Sequence, residues 1–431
     1  MITGLIIIVA IIFCAQIVRV FEVSNIITKE KNEVSDQSNL INGLLLLISG
    51  FALIAFFFWQ CYQWMYLTIQ NPASEHGQQV AQLWDTTMGL IVFVFLILTP
   101  MLFGFAWWFR GRKNNTASYI THNNKLEIFW TAIPAVVLLV LIIYGLNVWG
   151  KIVNQDISDA IVIELYAQQF EWNARYAGED NKLGDANVRF VDLNSLNILG
   201  VISKNNRDRQ IALINESISQ ITQEIAATMN PAAKELKQQK IKEEEDKKHR
   251  FNTYFSVTSE SQLKAAEDDL IIQDTIYLPV GEKVLFKFRS QDVIHSAYIP
   301  DMFVQMNCVP GTVTQFAFTP TMTTSAMRQE PQIIKKYQKI NEIHKNKLSQ
   351  PMYNKNYEDL DSTQKNQIDK KYYDLENNGK KSQEIKFDYT LLCNKICGNK
   401  HYDMKMTIVV DSLKPYNMWL ENQKENQFIN F

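Results

Sequence analysis

Two apolar runs, roughly Leu83–Phe109 and Leu126–Trp149, flank a short loop carrying Arg110-Gly-Arg-Lys113 and Lys125, with no acid before Glu127. Each run exceeds the ~20 residues needed to cross about 30 Å of hydrocarbon. In lipid, such a segment can satisfy its backbone polar groups by itself only as a helix. The pair therefore predicts a membrane hairpin. Basic residues in short loops stay on the matrix or cytoplasmic side, so everything after residue 150 is expected on the opposite side. Trp107, Trp108, Trp130 and Trp149 lie near the ends of the runs, where aromatic residues anchor at the interface. Two earlier runs, roughly Thr3–Val20 and Leu40–Tyr66, add one or two further spans. The opening Met1-Ile-Thr-Gly lacks the basic region of a signal peptide, yet a short apolar start can still be cleaved or re-entrant. Glu22, Glu30, Glu33 and Asp36 outnumber Lys29 and Lys31 between them, so charge does not orient this first part.

The overall hydrophobic fraction of 47% hides a chain split into a greasy first third and a charged remainder. A formal net charge of −2 gives no basis for a nucleic-acid partner. From Ile161 onward the pattern changes to short β-rich runs: Ile161-Val-Ile-Glu-Leu-Tyr166, Thr275-Ile-Tyr-Leu278, Lys283-Val-Leu-Phe-Lys-Phe288, Thr314-Gln-Phe-Ala-Phe-Thr319 and Met406-Thr-Ile-Val-Val410. Turns at Leu278-Pro-Val-Gly281 and Val309-Pro-Gly311 separate them, which predicts a small sandwich or barrel. Two stretches break the pattern. Ser203–Arg250 carries Ile211, Ile214, Ile218, Ile221 and Ile225 at helical spacing and is interrupted by Asn230-Pro231, which reads as a helical hairpin. Gln329–Lys386 is rich in Lys, Asn and Tyr, with Pro351 expected to divide two helices. The charge run Lys242-Glu-Glu-Glu-Asp-Lys-Lys248 is a solvated face, and ordered inserts so polar suggest a partner to pack against. The expected organisation is an extension over 1–70, a membrane hairpin over 71–150, and a β-domain over 151–202, 270–325 and 387–420. Helical inserts fill 203–269 and 326–386, and a tail runs over 421–431.

Five cysteines are too few and too scattered for a disulfide framework. Cys14 and Cys61 lie in apolar runs and Cys308 stands alone. Cys393 and Cys397 form the one close pair, followed by His401 and Met404. Thiolate and imidazole at this spacing suit zinc. A thioether is unusual for structural zinc, whereas thiolate, imidazole and a weak Met form the ligand set of copper electron-transfer sites. Two thiolates can bridge two ions, which requires a second imidazole, and His295 in Asp292-Val-Ile-His295-Ser is the candidate.

These residues resemble, in order, subunit II of haem–copper cytochrome c oxidase. The motifs are Asn71-Pro-Ala-Ser74, Glu127-Ile-Phe-Trp-Thr-Ala-Ile-Pro-Ala135, Gln169-Phe-Glu-Trp172, Leu278-Pro-Val-Gly-Glu-Lys-Val284, Asp292-Val-Ile-His295-Ser with Ile299-Pro300, Val309-Pro-Gly311, and the Cys393-to-Met404 string. The likeness covers roughly 70–200, 270–320 and 387–420. It implies a cupredoxin-like all-β domain after the membrane hairpin, and a dinuclear copper centre. Cys393 and Cys397 would bridge the ions, His295 and His401 would each complete one, Met404 would be a weak ligand, and Lys395 would offer its backbone carbonyl. The implied role is electron entry into a terminal oxidase: electrons pass from cytochrome c to haem in a catalytic subunit, which reduces O2 to water and pumps protons. The implied setting is the mitochondrial inner membrane, with the copper domain in the intermembrane space, or a bacterial plasma membrane with that domain outside.

Departures from the family pattern carry their own expectations. Lys395 replaces a glutamate that ligates magnesium at the interface with the catalytic subunit. An ammonium has no acceptor for a hard cation, so that site is expected to be lost or rearranged. Phe170 replaces a tryptophan at the electron-entry point and keeps an apolar docking contact, beside Trp172. Glu127 matches a glutamate at the mouth of a proton path. Asp292 matches an acidic position that attracts cytochrome c, whereas Asn307 stands in place of another acid. Other oxidase or supercomplex subunits are the expected partners of the inserts. Two rival readings are a copper-free quinol-oxidase subunit, which lacks the cysteine pair, and a zinc-stabilised membrane anchor.

Overall fold

The computed structural model describes residues 16–17, 20, 36–68, 71–113, 115–191, 197–377 and 385–429. The candidate span at 3–20 lies outside the described residues, apart from Gln16, Ile17 and Val20. Among the described residues, three helices are long and apolar enough to cross a membrane: α1 (Asp36–Trp64), α2 (Glu75–Trp108) and α3 (Asn124–Val153). The chain divides into a helical unit, up to residue 65 with 87–138, and a larger unit of 66–86 with 139–431.

In the helical unit α1 and α2 pack antiparallel through small residues. A Cβ on Gly50 would fall 2.6 Å from the Phe103 ring, so only glycine lets that ring rest on the α1 backbone. At one end, the Asp36 carboxylate accepts the Lys113 N–H at 2.7 Å and the Asn39 amide donates to the Gly111 carbonyl at 3.1 Å. These contacts hold the basic loop against the start of α1.

Helix α2 begins eight residues before its apolar run, and the reason is local. Ser74 Oγ accepts the Gly77 N–H at 3.1 Å as an N-cap and donates to the Met302 carbonyl at 2.6 Å. Ala73 N–H bonds Asp301 O and Glu75 N–H bonds Thr319 O. The polar first turns are thus anchored on the β-domain rather than in lipid.

The β-domain is a two-sheet sandwich, the cupredoxin-like fold that the resemblance implies. Its strands are β1 (Ile161–Gln168), β2 (Glu171–Tyr176), β3 (Leu270–Ile272), β4 (Thr275–Pro279), β5 (Val284–Ser290), β6 (His295–Ile299), β7 (Val304–Cys308), β8 (Thr314–Phe318), β9 (Tyr389–Cys393) and β10 (Lys405–Asp411). One sheet has the order β3-β2-β1-β5-β8 and the other β4-β10-β9-β6-β7. Alternate residues of each strand meet between the sheets: Ile163, Leu165, Trp172, Phe286 and Phe288 from the first, and Ile276, Leu278, Ile299, Tyr389, Leu391 and Ile408 from the second. A C-terminal helix, α10, follows (Leu413–Ile429), and its Trp419 stacks on Tyr277 with centroids 4.5 Å apart.

Both helical inserts leave from strand ends. Between β2 and β3, α4 (Lys204–Ala227) and α5 (Pro231–Val257) form a hairpin, capped by Ser203 and by Asn230 with Pro231 in the first turn, and the short α6 (Glu260–Ala265) follows. Between β8 and β9 come α7 (Thr324–Met327), α8 (Pro331–Tyr353) and α9 (Ser362–Asn377). Pro351 does not divide two helices; it sits inside the last turn of α8. The break falls at Asn354, which adopts φ +53° and bonds back to Gln350 O. An Asn in the left-handed conformation ends a helix more readily than a proline one turn from its end.

The outer face of the first sheet holds a charge network instead of solvated side chains. Arg175 pairs with Glu164 at 2.8 Å and Asp269 at 3.0 Å, and Arg289 pairs with Glu164 at 2.9 Å. Arg175, Glu164 and Asp269 are all buried. Removing one member of such a buried pair costs about 3–5 kcal/mol, because its partner is left charged and dry. Burial pushes the Asp269 carboxyl up to about 7, although the Arg175 guanidinium and the Gly184 N–H favour its charged form. The folded domain therefore holds this proton more tightly than the unfolded chain. The contribution to stability is full below the unfolded value near 3.8 and is lost as pH rises through about 7. Thermal unfolding of the wild-type chain should show this loss between about pH 4 and about pH 8. Asp269→Asn should flatten that part of the profile, and an unchanged profile would remove Asp269 as its source.

Candidate metal centre

The site is assembled by strand pairing. β6 and β9 run antiparallel with Ala297 opposite Cys393, which brings His295, at the start of β6, beside the last residue of β9. β9 also pairs with β10, and Cys393 N–H bonds the Met404 carbonyl at 3.1 Å, so the loop 394–403 closes over its own ends. Gln169, just after β1, donates its side-chain amide to the Cys397 carbonyl. Gly398 adopts φ +149°, and a Cβ there would fall 2.7 Å from the Phe170 ring. The loop thus fits against the β1–β2 turn only because residue 398 has no side chain.

Five sulfur and nitrogen donors meet in a chain of short contacts. His295 Nδ1 lies 3.7 Å from Cys393 Sγ, the two sulfurs are 3.8 Å apart, and His401 Nδ1 lies 3.6 Å from Cys397 Sγ. Met404 Sδ is 3.8 Å from Cys397 Sγ, and the Lys395 carbonyl oxygen is 3.2 Å from Cys393 Sγ. These separations are the edges of a coordination polyhedron. For tetrahedral bonds of about 2.3 Å to sulfur and about 2.0 Å to nitrogen, adjacent donors stand about 3.8 Å apart for two sulfurs and about 3.5 Å for sulfur and nitrogen. His295, Cys393 and Cys397 are buried and place their donor atoms within 4.8 Å of one another. The donor set therefore fits a metal without rearrangement.

The sequence signals for His295, Cys393, Lys395, Cys397, His401 and Met404 converge on this one place. Burial and the neighbouring Cys393 sulfur push the Cys397 thiol up to about 11. Cys308 pairs with His295 across β6 and β7 but is fully buried, and burial pushes its thiol up to about 12. A thiol so hard to ionise is an inert core residue. Phe170 is half-buried at the rim, packed on the Cys397–Gly398 turn. Trp172 is 1% exposed, with its ring centroid 6.3 Å from that of His295. Its place is beside the ligand rather than on a docking surface. Glu127 belongs to the helical unit, in the first turn of α3, where its carboxylate accepts the Asn123 N–H at 3.4 Å and lies 4.0 Å from His122. Lys395 and Asn307 are both exposed.

Asp292 has a role that sequence reasoning did not assign. Its carboxylate accepts from His295 Nε2 at 2.8 Å, from the Gln169 N–H at 2.7 Å and from its neighbour Val293 N–H at 2.7 Å. Burial opposes ionisation of Asp292, but these three donors hold its carboxyl below the usual range. Its hydrogen-bonding oxygens are engaged inward. The second ring nitrogen of His295 is thereby fixed as a donor, which leaves Nδ1 free to ligate. The signal in the sequence was an acid three residues before the histidine, with a turn between them.

The transmembrane-domain model of cytochrome c oxidase subunit II matches residues 62–148, and the model of its periplasmic domain matches 239–333. The second match includes His295 and stops before the cysteine loop. The chain is 21% identical over 382 residues to the alternative cytochrome c oxidase subunit 2 of Bradyrhizobium diazoefficiens, covering 88% of this chain and 91% of that protein. It is 23% identical over 250 residues to cytochrome c oxidase subunit 2 of Cereibacter sphaeroides, covering 58% of this chain and 65% of that one. Among solved structures, the periplasmic domain of subunit II of cytochrome oxidase from Bradyrhizobium japonicum aligns with 62% of this chain and 94% of its own, at 12% identity and a TM-score of 0.25.

Asp292→Ala should release the His295 ring and the Gln169 turn together. The expected result is metal affinity about 10–100-fold weaker by competition with a chelator. Unchanged affinity would mean that Asp292 does not orient the ligand.

Proposed function

The chain belongs to the cytochrome c oxidase subunit II family as a divergent member, and from that premise we propose that its site holds two copper ions that admit electrons to a terminal oxidase. The observation that carries this reading is the donor count. Six donors are too many for one tetrahedral ion. Two ions would be held by Cys393 and Cys397 together with His295 and His401, and Met404 and the Lys395 carbonyl would supply the remaining donors. Soft thiolate and thioether with imidazole favour copper over zinc in such a set. When bound, the copper pair supplies one-electron redox chemistry.

The remaining work is done by the protein. Cys393 and Cys397 are held by paired strands and the Gln169 contact, and His295 by Asp292, so the donors are fixed before a metal enters. A rigid cage needs little rearrangement when charge changes, which favours fast transfer. The core around Trp172 keeps water from the buried side of the site. Phe170 at the rim is the apolar contact for cytochrome c. Asn307 carries no charge where the family pattern has an acid, whereas Asp292 keeps its negative charge, so steering of a basic donor is redistributed and its salt dependence shallower. Electrons leave to haem in a catalytic partner subunit, which reduces O2 to water and pumps protons. The β-domain lies outside a mitochondrial inner or bacterial plasma membrane, and the inserts meet other oxidase or supercomplex subunits. The Lys395 side chain has only donors to offer, so it supplies no magnesium ligand.

Rapid reduction by ferrocytochrome c tests the proposal. Cys397→Ser should abolish it, and Phe170→Ala should slow it while leaving metal content unchanged. Full-rate reduction of the Cys397→Ser chain would overturn the assignment.

Glu127 is read as the entry of a proton path in the assembled oxidase, since an ionisable group at a span end suits that task. Glu127→Gln should slow turnover without changing metal content. An unaffected rate would leave Glu127 as a helix cap only.

A further inference from the structure

The loop between β9 and β10 faces two ways. At Lys395 the backbone carbonyl turns inward, 3.2 Å from Cys393 Sγ, while the side chain is exposed. Its neighbour Ile396 is 86% exposed, and Tyr402, next to His401, is 86% exposed as well. Single apolar side chains on a surface need no explanation. These two stand apart because each adjoins a candidate ligand that is turned inward, Cys397 and His401. Neither can leave the surface without displacing that ligand. An aliphatic and an aromatic side chain held outward in this way are suited to anchor a contact with another protein.

Position 395 is also where the family pattern implies a glutamate that ligates magnesium at the interface with the catalytic subunit. The residues present do not fit that ion. The Lys395 side chain has only donors. Asp403, the single acid of the loop 394–403, faces Lys405 at 3.3 Å. The Asp292 carboxylate already accepts from His295 Nε2 and from the Gln169 and Val293 N–H groups. Among the described residues, the one cluster of three such candidate ligands is His295, Cys393 and Cys397, whose soft donors suit copper and not a hard cation. A hard cation at a protein interface draws oxygen ligands from both sides. An ammonium at the same point brings positive charge and hydrogen-bond donors to those oxygens directly. Once the contact removes water, that ammonium requires an acceptor, because an unpaired dry charge is costly.

We propose that Lys395 takes the place of the magnesium ion: its ammonium pairs with a carboxylate of the catalytic subunit, inside an apolar contact made by Ile396 and Tyr402. The interface is then joined by an ion pair between two proteins instead of a shared metal. This rests on the reading of the chain as an oxidase subunit, and not on which metal fills the site of the two cysteines.

The test uses the assembled oxidase in detergent, with association of this chain and the catalytic subunit measured before and after EDTA. EDTA should leave the wild-type association unchanged. Lys395→Glu should make it depend on a divalent cation: at least about tenfold weaker after EDTA, and restored by Mn2+, with a stoichiometric EPR signal of bound Mn2+. Lys395→Met can neither pair nor ligate, so its association should be weakened at least about tenfold with or without EDTA. That variant decides the matter if Lys395→Glu does not assemble. Loss of association and of magnesium from the wild type on EDTA treatment would overturn the proposal. So would a Lys395→Glu complex indifferent to EDTA and Mn2+, or a Lys395→Met complex as tight as the wild type. Copper analysis of the same samples keeps the two readings apart: a wild-type complex without copper contradicts the copper assignment alone.

Discussion

The pairing of β6 with β9 is the constraint on which the rest of the domain depends. It joins residues about a hundred positions apart, sets His295 beside Cys393, and through β10 fixes Met404 under the same sulfur pair. A slip of one residue would turn His295 from the interior to the outer face, because side chains alternate along a strand. Trp172, Leu391 and Ile299 pack the interior against such a slip. The candidate ligands are therefore held by the same core that holds the two sheets together.

This arrangement explains how the domain tolerates such large insertions. The segment between β8 and β9 carries α7, α8 and α9, yet β9 still finds β6. Loop-closure entropy rises only slowly with length, by about 0.6 kcal/mol per doubling. The first insert likewise leaves β2 and returns at β3, which pair antiparallel as though joined directly. Its return also brings Asp269 to Arg175, and Arg289 reaches the Leu199 carbonyl at 2.9 Å. The insert thus covers a sheet face that would otherwise be wet and is tied to the domain by buried charge.

How much was legible in the sequence follows from how local each signal is. The candidate metal loop was legible because four potential ligands lie within twelve residues, and His295 because so few histidines exist. The hairpin spans were legible from length and charge. The early start of α2 was not, since Ser74 caps it through contacts with residues more than two hundred positions away. The burial of Glu164 against Arg175 and Arg289 was not legible either, since Arg289 comes from a strand more than a hundred positions away. Pro351 was given too much weight as a breaker, because a proline in the last turn removes little. Asp292 was read for its charge toward a partner, and the structure adds a second role through three donors within the domain. The start of α2 depends on a contact between distant segments, which periodicity and spacing do not encode, whereas the end of α8 depends on the backbone conformation of Asn354.

The central claim is that two shared sulfurs hold two copper ions in a preformed cage. Low-temperature EPR of the copper-loaded chain, with elemental analysis of the same sample, tests it most directly. Two copper ions per chain, with hyperfine structure from one electron shared equally over two nuclei, is the expected result. A single copper with a mononuclear pattern, or a silent site filled by zinc, would contradict it.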